Sequence, residues 1–93
     1  MDSVEAKTIL LHESMKYRAK SYDDLKCLLG QQDTYEVSGP LGIVYQLEIQ
    51  AVWDDKPNDI LRVTAGIDDK GIRAFIPMIE DFLIAPDGTF VSE

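Results

Sequence analysis

The fold is decided by one stretch of alternating apolar and polar side chains, residues 43–53: Ile43-Val44-Tyr45-Gln46-Leu47-Glu48-Ile49-Gln50-Ala51-Val52-Trp53. Every odd-numbered residue in it is apolar, whereas most even-numbered residues are polar. Successive side chains of a strand point to opposite faces of the sheet. The stretch therefore predicts a long antiparallel strand with one buried face and one face in water.

Shorter strands are predicted on both sides of this stretch. Gly39-Pro40-Leu41-Gly42 is typical of a turn. Pro57 has no backbone N–H to donate to a neighbouring strand, so we expect the long strand to end after Trp53. The sequence predicts further strands at 34–38, 60–67 and 72–77, with a tight turn at 68–71. A last hairpin, left open as an alternative to a tail, would pair 82–85 with 89–92 across Pro86-Asp87-Gly88.

The first thirty residues have helical spacing instead. Residues 3–19 place Val4, Leu11 and Met15 on one stripe, with Ile9 or Leu10 beside it. Asp2 and Glu5 form a capping pattern for this helix. Ser21 and Asp24 form a second one, and Gly30 is placed to end the helix that follows. Two helices, or one helix broken near Ser21, are predicted equally.

These elements predict an α+β fold, with the helices packed on one face of a four- to six-stranded antiparallel meander. We expect a single domain over residues 1–93, helical over 1–30 and a sheet over 31–93. The expected core comprises Tyr45, Leu47, Ile49, Trp53, Leu61, Val63, Ile67 and Ile72 or Phe75, packed against Leu11, Met15, Leu25 and Leu28.

The charge is uneven along the chain. Residues 1–30 carry five basic and five acidic side chains, whereas residues 31–93 carry four basic and twelve acidic ones, and the net charge is −8. An acidic field repels nucleic acid and attracts basic proteins. No apolar run approaches the ~20 residues of a membrane span. The single cysteine, Cys27, excludes an internal disulfide and favours a reducing compartment, so we expect a cytoplasmic location.

Catalytic motifs are absent from the sequence. His12 is the only histidine, and no metal-ligand, phosphate-cradle or nucleophile-elbow spacing occurs. His12 with Cys27 as base and nucleophile is the remaining enzymatic alternative. The adjacent carboxylates mostly fall in predicted turns, where aspartate is common. We expect no cofactor, no metal and no catalytic residue.

The polar face of the predicted sheet is the candidate site. It carries Glu48 and Arg62, together with Arg73 and Phe75 of the predicted fourth strand, and the turn residues Asp54 and Asp55 border it. Arginine and aromatic side chains are common anchors of protein interfaces. We therefore predict a non-catalytic module that binds a protein partner, with a basic partner or a homodimer as the candidates. The alternative is a small-molecule domain with a pocket between helices and sheet, lined by Met15, Tyr17, Tyr22 and Trp53.

Overall fold

A computed structural model describes residues 3–68 and 78–91. Over these residues, two helices precede five strands. The helices are α1 (Ser3–Arg18) and α2 (Tyr22–Lys26), and a short 3-10 helix covers Lys56–Asn58. The strands are β1 (Asp33–Ser38), β2 (Val44–Asp55), β3 (Ile60–Asp68), β4 (Met78–Ile84) and β5 (Phe90–Val91).

The strands form one antiparallel sheet in the order β1-β2-β3-β4-β5, so each strand pairs with its neighbour in sequence. Strand β2 contains the alternating stretch and lies between β1 and β3. Tyr45, Leu47 and Ile49 are fully buried, as the alternation predicts. The predicted α+β meander, with its helices packed against the sheet, is confirmed.

The turn between β1 and β2 shows how local chemistry sets the register. The N–H of Gly42 donates to the carbonyl of Gly39 (3.0 Å), and the N–H of Gly39 donates to the carbonyl of Ile43 (2.8 Å). Gly42 has φ +86°, a conformation that glycine adopts without steric cost. The loop of residues 39–43 pairs Ser38 with Val44 and so places the alternate residues of both strands on matching faces.

The core stripe of α1 differs from the predicted one. Leu11 and Met15 were expected in the core, but they are 41% and 67% exposed, whereas Ala6, Leu10 and Tyr17 are buried. Both sets have helical spacing, so periodicity alone does not distinguish them. The buried stripe also includes two polar residues, Glu13 and Ser14, which made it less apolar than the exposed one. The Tyr35 hydroxyl of the sheet and the Lys16 ammonium group of α1 supply partners that make this burial of Glu13 tolerable.

Helix α2 begins as predicted. The Ser21 side chain accepts a hydrogen bond from the N–H of Asp24 (3.1 Å), so the break near Ser21 separates two helices. The helix ends at Lys26, earlier than expected, and Leu25 and Leu28 reach the core from it and from the turn that follows. Neither helix of the described residues has the length and hydrophobicity needed to cross a bilayer.

The rest of the predicted core is largely confirmed. Trp53, however, is only partly buried, and its ring lies against the Lys56 ammonium group, 4.2 Å from the ring centroid. The predicted core residues Ile72 and Phe75 lie outside the described residues. The buried members of the expected core are Leu25, Leu28, Tyr45, Leu47, Ile49, Leu61, Val63 and Ile67.

The strand predicted at 72–77 also lies outside the described residues, as does most of the turn at 68–71. Within the described part, β3 pairs with β4, from Ile67 opposite Met78 to Leu61 opposite Ile84. The C-terminal hairpin is confirmed, since Leu83 pairs with Val91 and Ile84 pairs with Phe90.

Candidate interaction surface

The face of the sheet that the helices leave uncovered forms a polar surface with scattered apolar residues. Its rows follow from the register, because residues directly opposite in an antiparallel pair project to the same side. One row runs through Thr34, Glu48, Gly66 and Ile79, and the next through Gln50, Thr64 and Asp81. Val44, Val52 and Ile79 are exposed on this face. We call it the open face.

A groove crosses the centre of the open face. Its volume is about 180 Å³. Gly66 lines the groove and leaves a gap in the row of β3 side chains, since an added Cβ there would meet only the Met78 carbonyl oxygen, at 3.9 Å. Its walls combine two carboxylates, three neutral polar side chains and one exposed isoleucine. The lining residues are Gln46, Glu48, Gln50, Thr64, Gly66, Ile67, Asp68 and Ile79.

Among the described residues, the open face is strongly acidic. This face carries five carboxylates and one guanidinium, which gives it a formal charge of −4. Two of these carboxylates, Glu48 and Asp68, line the groove. They lie on neighbouring strands in diagonal positions, because Glu48 is opposite Gly66 and Asp68 is two residues further along. The five carboxylates are Glu36, Glu48, Asp54, Asp68 and Asp81.

The guanidinium of the open face belongs to Arg62, which is clamped between two strands. Its Nε and Nη2 donate to Asp54 Oδ1 (3.1 and 2.8 Å), and its Nη1 donates to Asp81 Oδ2. All three side chains are between about a quarter and two-fifths exposed. Arg62 therefore ties β2, β3 and β4 together across the open face and forms ion pairs with two of its carboxylates.

The structure brings together only some of the predicted site residues. Glu48 lines the groove, and Asp54 holds Arg62 beside it. Asp55 lies at the end of β2 past a register shift and accepts a hydrogen bond from the Asn58 side chain (2.8 Å), in the turn rather than in the groove. Arg73 and Phe75 lie outside the described residues.

Three groove residues were missed by the sequence reasoning. Gly66 was included in a strand without comment, although a glycine in a strand interior often marks a close approach. Asp68 was assigned to a turn but is the last residue of β3. Ile79 falls in a segment whose strand was not predicted. Of these, only Gly66 had a usable signal in the sequence.

The covered face of the sheet carries a second polar cluster, three tyrosines paired with carboxylates. The hydroxyl of Tyr17 donates to Asp33 (2.8 Å), that of Tyr35 to Glu13 (2.9 Å), and that of Tyr45 to Glu5 (2.9 Å). Burial and the bond to Asp33 raise the pKa of Tyr17 to about 12. Burial and the bond to Glu13 also raise the pKa of Tyr35 above its usual value.

Glu13 is the most buried carboxylate of this cluster, 5% exposed. Burial raises its pKa, but hydrogen bonds from Lys16 (2.9 Å), Tyr35 and His12 outweigh that effect, and the pKa of Glu13 lies below its usual value. Every described buried side-chain polar atom has a hydrogen-bond partner. The cluster thus joins α1 to β1 and β2 as a satisfied structural network.

The alternative sites of the sequence analysis are dispersed in the structure. The His12 side chain contacts Glu13, whereas Cys27 is exposed and lies 3.5 Å from the Asp23 carbonyl oxygen. Met15 points outward, so it does not line an interior pocket with the buried Tyr17. Over residues 3–68 and 78–91, no group of histidine, cysteine and carboxylate side chains is arranged to hold a metal ion.

Comparison of the chain with protein-family models, with curated proteins and with solved structures finds no match. Function is therefore inferred from the geometry of the open face.

Proposed function

We propose that this protein is a small acidic interaction module that binds a basic segment of a partner protein on its open face. The observation that carries the proposal is the groove over Gly66, in which an apolar wall faces two carboxylates. Covering this surface would remove Val44, Val52 and Ile79 from water, and each of them is exposed in the free protein. The interaction would therefore combine apolar burial with charge complementarity.

The chemistry of the groove favours arginine or lysine as the inserted side chain. These side chains have an aliphatic stem and a charged end, and the groove offers Ile79 to the stem and Glu48 and Asp68 to the charge. Diagonal neighbours on adjacent strands are separated by about 7–8 Å. A planar guanidinium with its five donors is suited to reach both carboxylates.

Groove size favours a protein partner over a free metabolite. Pockets for drug-sized ligands have volumes of about 300–1,000 Å³, and this groove has about 180 Å³. It is matched to one or two side chains of a larger surface. The acidic charge disfavours nucleic acid as a direct ligand. An intracellular location is part of the same proposal, since Cys27 is an exposed free thiol.

The proposal is tested with a short peptide of alternating valine and arginine, and with the same peptide carrying citrulline in place of each arginine. Amide chemical shifts of Gln46, Glu48 and Thr64 should move with the arginine peptide and return as salt is added, because exposed charges are screened. The citrulline side chain keeps the length and the planar end group of arginine, but it lacks the charge and has a carbonyl oxygen in place of one NH2 donor group. Equal binding of both peptides, or shifts confined to residues away from the groove, would contradict the proposal.

A second experiment addresses the natural partner. Proteins retained from a native lysate by the wild type are compared with those retained by a Gly66→Val variant, in which the groove is filled. A basic protein retained at physiological salt by the wild type and lost with the variant supports the proposal. Identical sets of retained proteins would reject the groove as the binding site.

A further inference from the structure

Strand β1 is the longer of the two edge strands of the sheet. Among the described residues it pairs only with β2, over all six residues from Asp33 to Ser38 and in a regular register. The opposite edge strand, β5, has two residues. Proteins commonly keep an edge strand single by making it short or by placing lysine, proline or a bulge in it. Strand β1, which the structure describes in full, has none of these features.

The backbone groups that point outward from this edge belong to alternate residues. The N–H of Gly39 donates to the carbonyl of Ile43, so these two residues form a hydrogen-bonded pair. Hydrogen-bonded and non-hydrogen-bonded pairs alternate along an antiparallel ladder. Counted back from Gly39, the N–H and C=O groups of Thr34, Glu36 and Ser38 therefore point away from β2. They have the direction that pairing with a further strand requires.

On the covered face of the sheet, the core ends half-buried at this edge. Tyr35 and Val37 are only partly buried, although they pack against the core. The residues opposite them on β2, Leu47 and Tyr45, are fully buried. Apolar side chains of an added strand would lie beside Tyr35 and Val37 and would remove more of their surface from water.

On the open face, an added strand would extend a row of side chains that leads into the groove. This row runs through Thr34, Glu48 and Gly66. Directly opposite residues have Cβ atoms about 4.5–5.5 Å apart, so a residue paired with Thr34 would be about 10 Å from Glu48. An arginine at that position would extend over the short threonine side chain toward the exposed Glu48 carboxylate.

Charge favours a basic partner at this edge over a second copy of the chain. The net charge of each copy is −8, and the two charged residues of β1, Asp33 and Glu36, are both acidic. If β1 paired antiparallel with itself over its whole length, Glu36 would lie opposite Glu36 of the other copy. Like charges in directly opposite positions are destabilising. A segment with basic residues at alternate positions has the complementary charge.

We infer that the basic partner binds by strand addition, with an extended segment paired to the outer edge of β1. Its apolar side chains lie on the covered face beside Tyr35 and Val37, and its basic side chains lie on the open face. Main-chain hydrogen bonds supply affinity in this mode of recognition, and the alternate side chains supply specificity. This inference rests on the proposed function, because it specifies how the same basic segment reaches the groove. The partner segment therefore alternates apolar and basic residues over about the length of β1.

The first test separates the backbone of the segment from its side chains. It uses the valine–arginine peptide and two N-methylated versions, one methylated at every valine and the other at every arginine. Alternate N–H groups of a strand point to opposite sides, so only one of the two sets would face β1 in either strand orientation. One methylated peptide should bind at least about tenfold more weakly, because several hydrogen bonds are lost, and the other should bind as the parent does. Equal affinities of the two methylated peptides would overturn the inference.

Hydrogen exchange of single amides locates the contact. The N–H groups of Thr34 and Ser38 should exchange at least about tenfold more slowly in the complex, because pairing protects them. The N–H of Val37 points toward β2 and serves as an internal control, since its exchange should change much less. Binding that shifts Glu48 and Thr64 but leaves Thr34 and Ser38 unprotected would overturn strand addition and leave the proposed function intact.

A pair of variants tests the edge from the side of the protein. Thr34→Pro removes one outward donor without a change of charge, and proline is tolerated in edge strands where the N–H faces solvent. Thr34→Val is the matched control, because it also lacks the hydroxyl but keeps the N–H. Thr34→Pro should bind the valine–arginine peptide at least about fivefold more weakly than Thr34→Val does, with circular dichroism confirming that both are folded. Equal binding by two folded variants would count against the inference, and the methylated peptides decide it if the proline variant does not fold.

Two further outcomes distinguish the possible occupants of the edge. Protection of Thr34 and Ser38 without any peptide, increasing with protein concentration, would assign the edge to a second copy and overturn the inference. Equal protection of these amides by the arginine and citrulline peptides would support strand addition but reject the basic partner, and with it the proposed function.

Discussion

Substitution of Gly66 separates the stability of the fold from the function of the groove. An alanine Cβ at this position would meet one atom within 4 Å, the Met78 carbonyl oxygen at 3.9 Å, which is an ordinary van der Waals contact. Glycine in a strand interior is less stable than alanine by roughly 0.5–1 kcal/mol, because it loses more conformational freedom on folding. Gly66→Ala should therefore stabilise the protein by about that amount.

For a domain of this length, 1 kcal/mol corresponds to a shift in Tm of about 4–8 °C. Gly66→Ala should raise Tm by about 2–8 °C, measured by thermal unfolding followed by circular dichroism. Gly66→Val should be at least as stable as the wild type, because a β-branched residue suits a strand and the open groove has room for it.

The affinity for a partner should decrease although the stability of the fold does not. The valine side chain would occupy the floor of the groove, so the affinity for the valine–arginine peptide should fall by about tenfold or more, a loss of about 1.4 kcal/mol. A Gly66→Val protein that is stable and binds the peptide with unchanged affinity would refute the groove as the site. If Gly66→Ala destabilises the protein, the conclusion that there is open space for a side chain at Gly66 is wrong.

Three further predictions concern the helix–sheet layer. Leu10→Ala should destabilise the protein by about 2–5 kcal/mol in chemical denaturation, whereas Leu11→Ala should cost well under half as much; equal costs would contradict the assignment of the buried stripe. Glu13→Gln should cost about 1–3 kcal/mol at neutral pH, because a charged acceptor of three hydrogen bonds is replaced. The pKa of Glu13 is lowered in the folded state, so its contribution is complete above pH 4.5 and is lost as the pH falls. The difference between Glu13→Gln and the wild type should thus shrink in acid, and a constant difference would contradict the depressed pKa. Tyr17 has a raised pKa of about 12, so its stabilisation is present below pH 10.0 and is lost as the pH rises through 12. Tyr17→Phe should remove part of the alkaline loss of stability, and tyrosinate absorbance of the wild type should show one more late-titrating group than the variant; an unchanged titration curve would count against the Tyr17–Asp33 bond.

The sheet was predictable because its signals are local. The alternation in residues 43–53 defines β2, and the turn at Gly39–Gly42 sets its pairing with β1. A period of two also specifies which residues face the core, since a shift by one residue would expose every apolar side chain. Only the end of β4 was predicted, as the first strand of the C-terminal hairpin, because its beginning contains two adjacent acidic residues and no alternation comparable with that of β2.

For the candidate site, the sequence predicted which side of the sheet is polar but not the groove on it. Alternation assigned Glu48 and Arg62 to the polar side of the sheet, and the register confirms that they share it. The groove itself was not predictable, because it depends on the absence of a side chain at Gly66 and on the position of Ile79 across the β3–β4 pair. Arg62 was predicted as an anchor for a partner, but its donors are bound by Asp54 and by Asp81, 19 residues away.

By itself, the sequence determined the class of fold, a helical first third, the central strands and the acidic character of the sheet half. These depend on periodicity, turn chemistry and composition, all of which act over a few residues. Only the tertiary structure decided which stripe of α1 is buried, because Tyr35 and Tyr45 of the sheet accommodate Glu13 and Glu5 while Leu11 remains in water. The sequence of a helix specifies the spacing of its apolar residues, but which side of the helix is buried depends on the side chains that the fold packs against it.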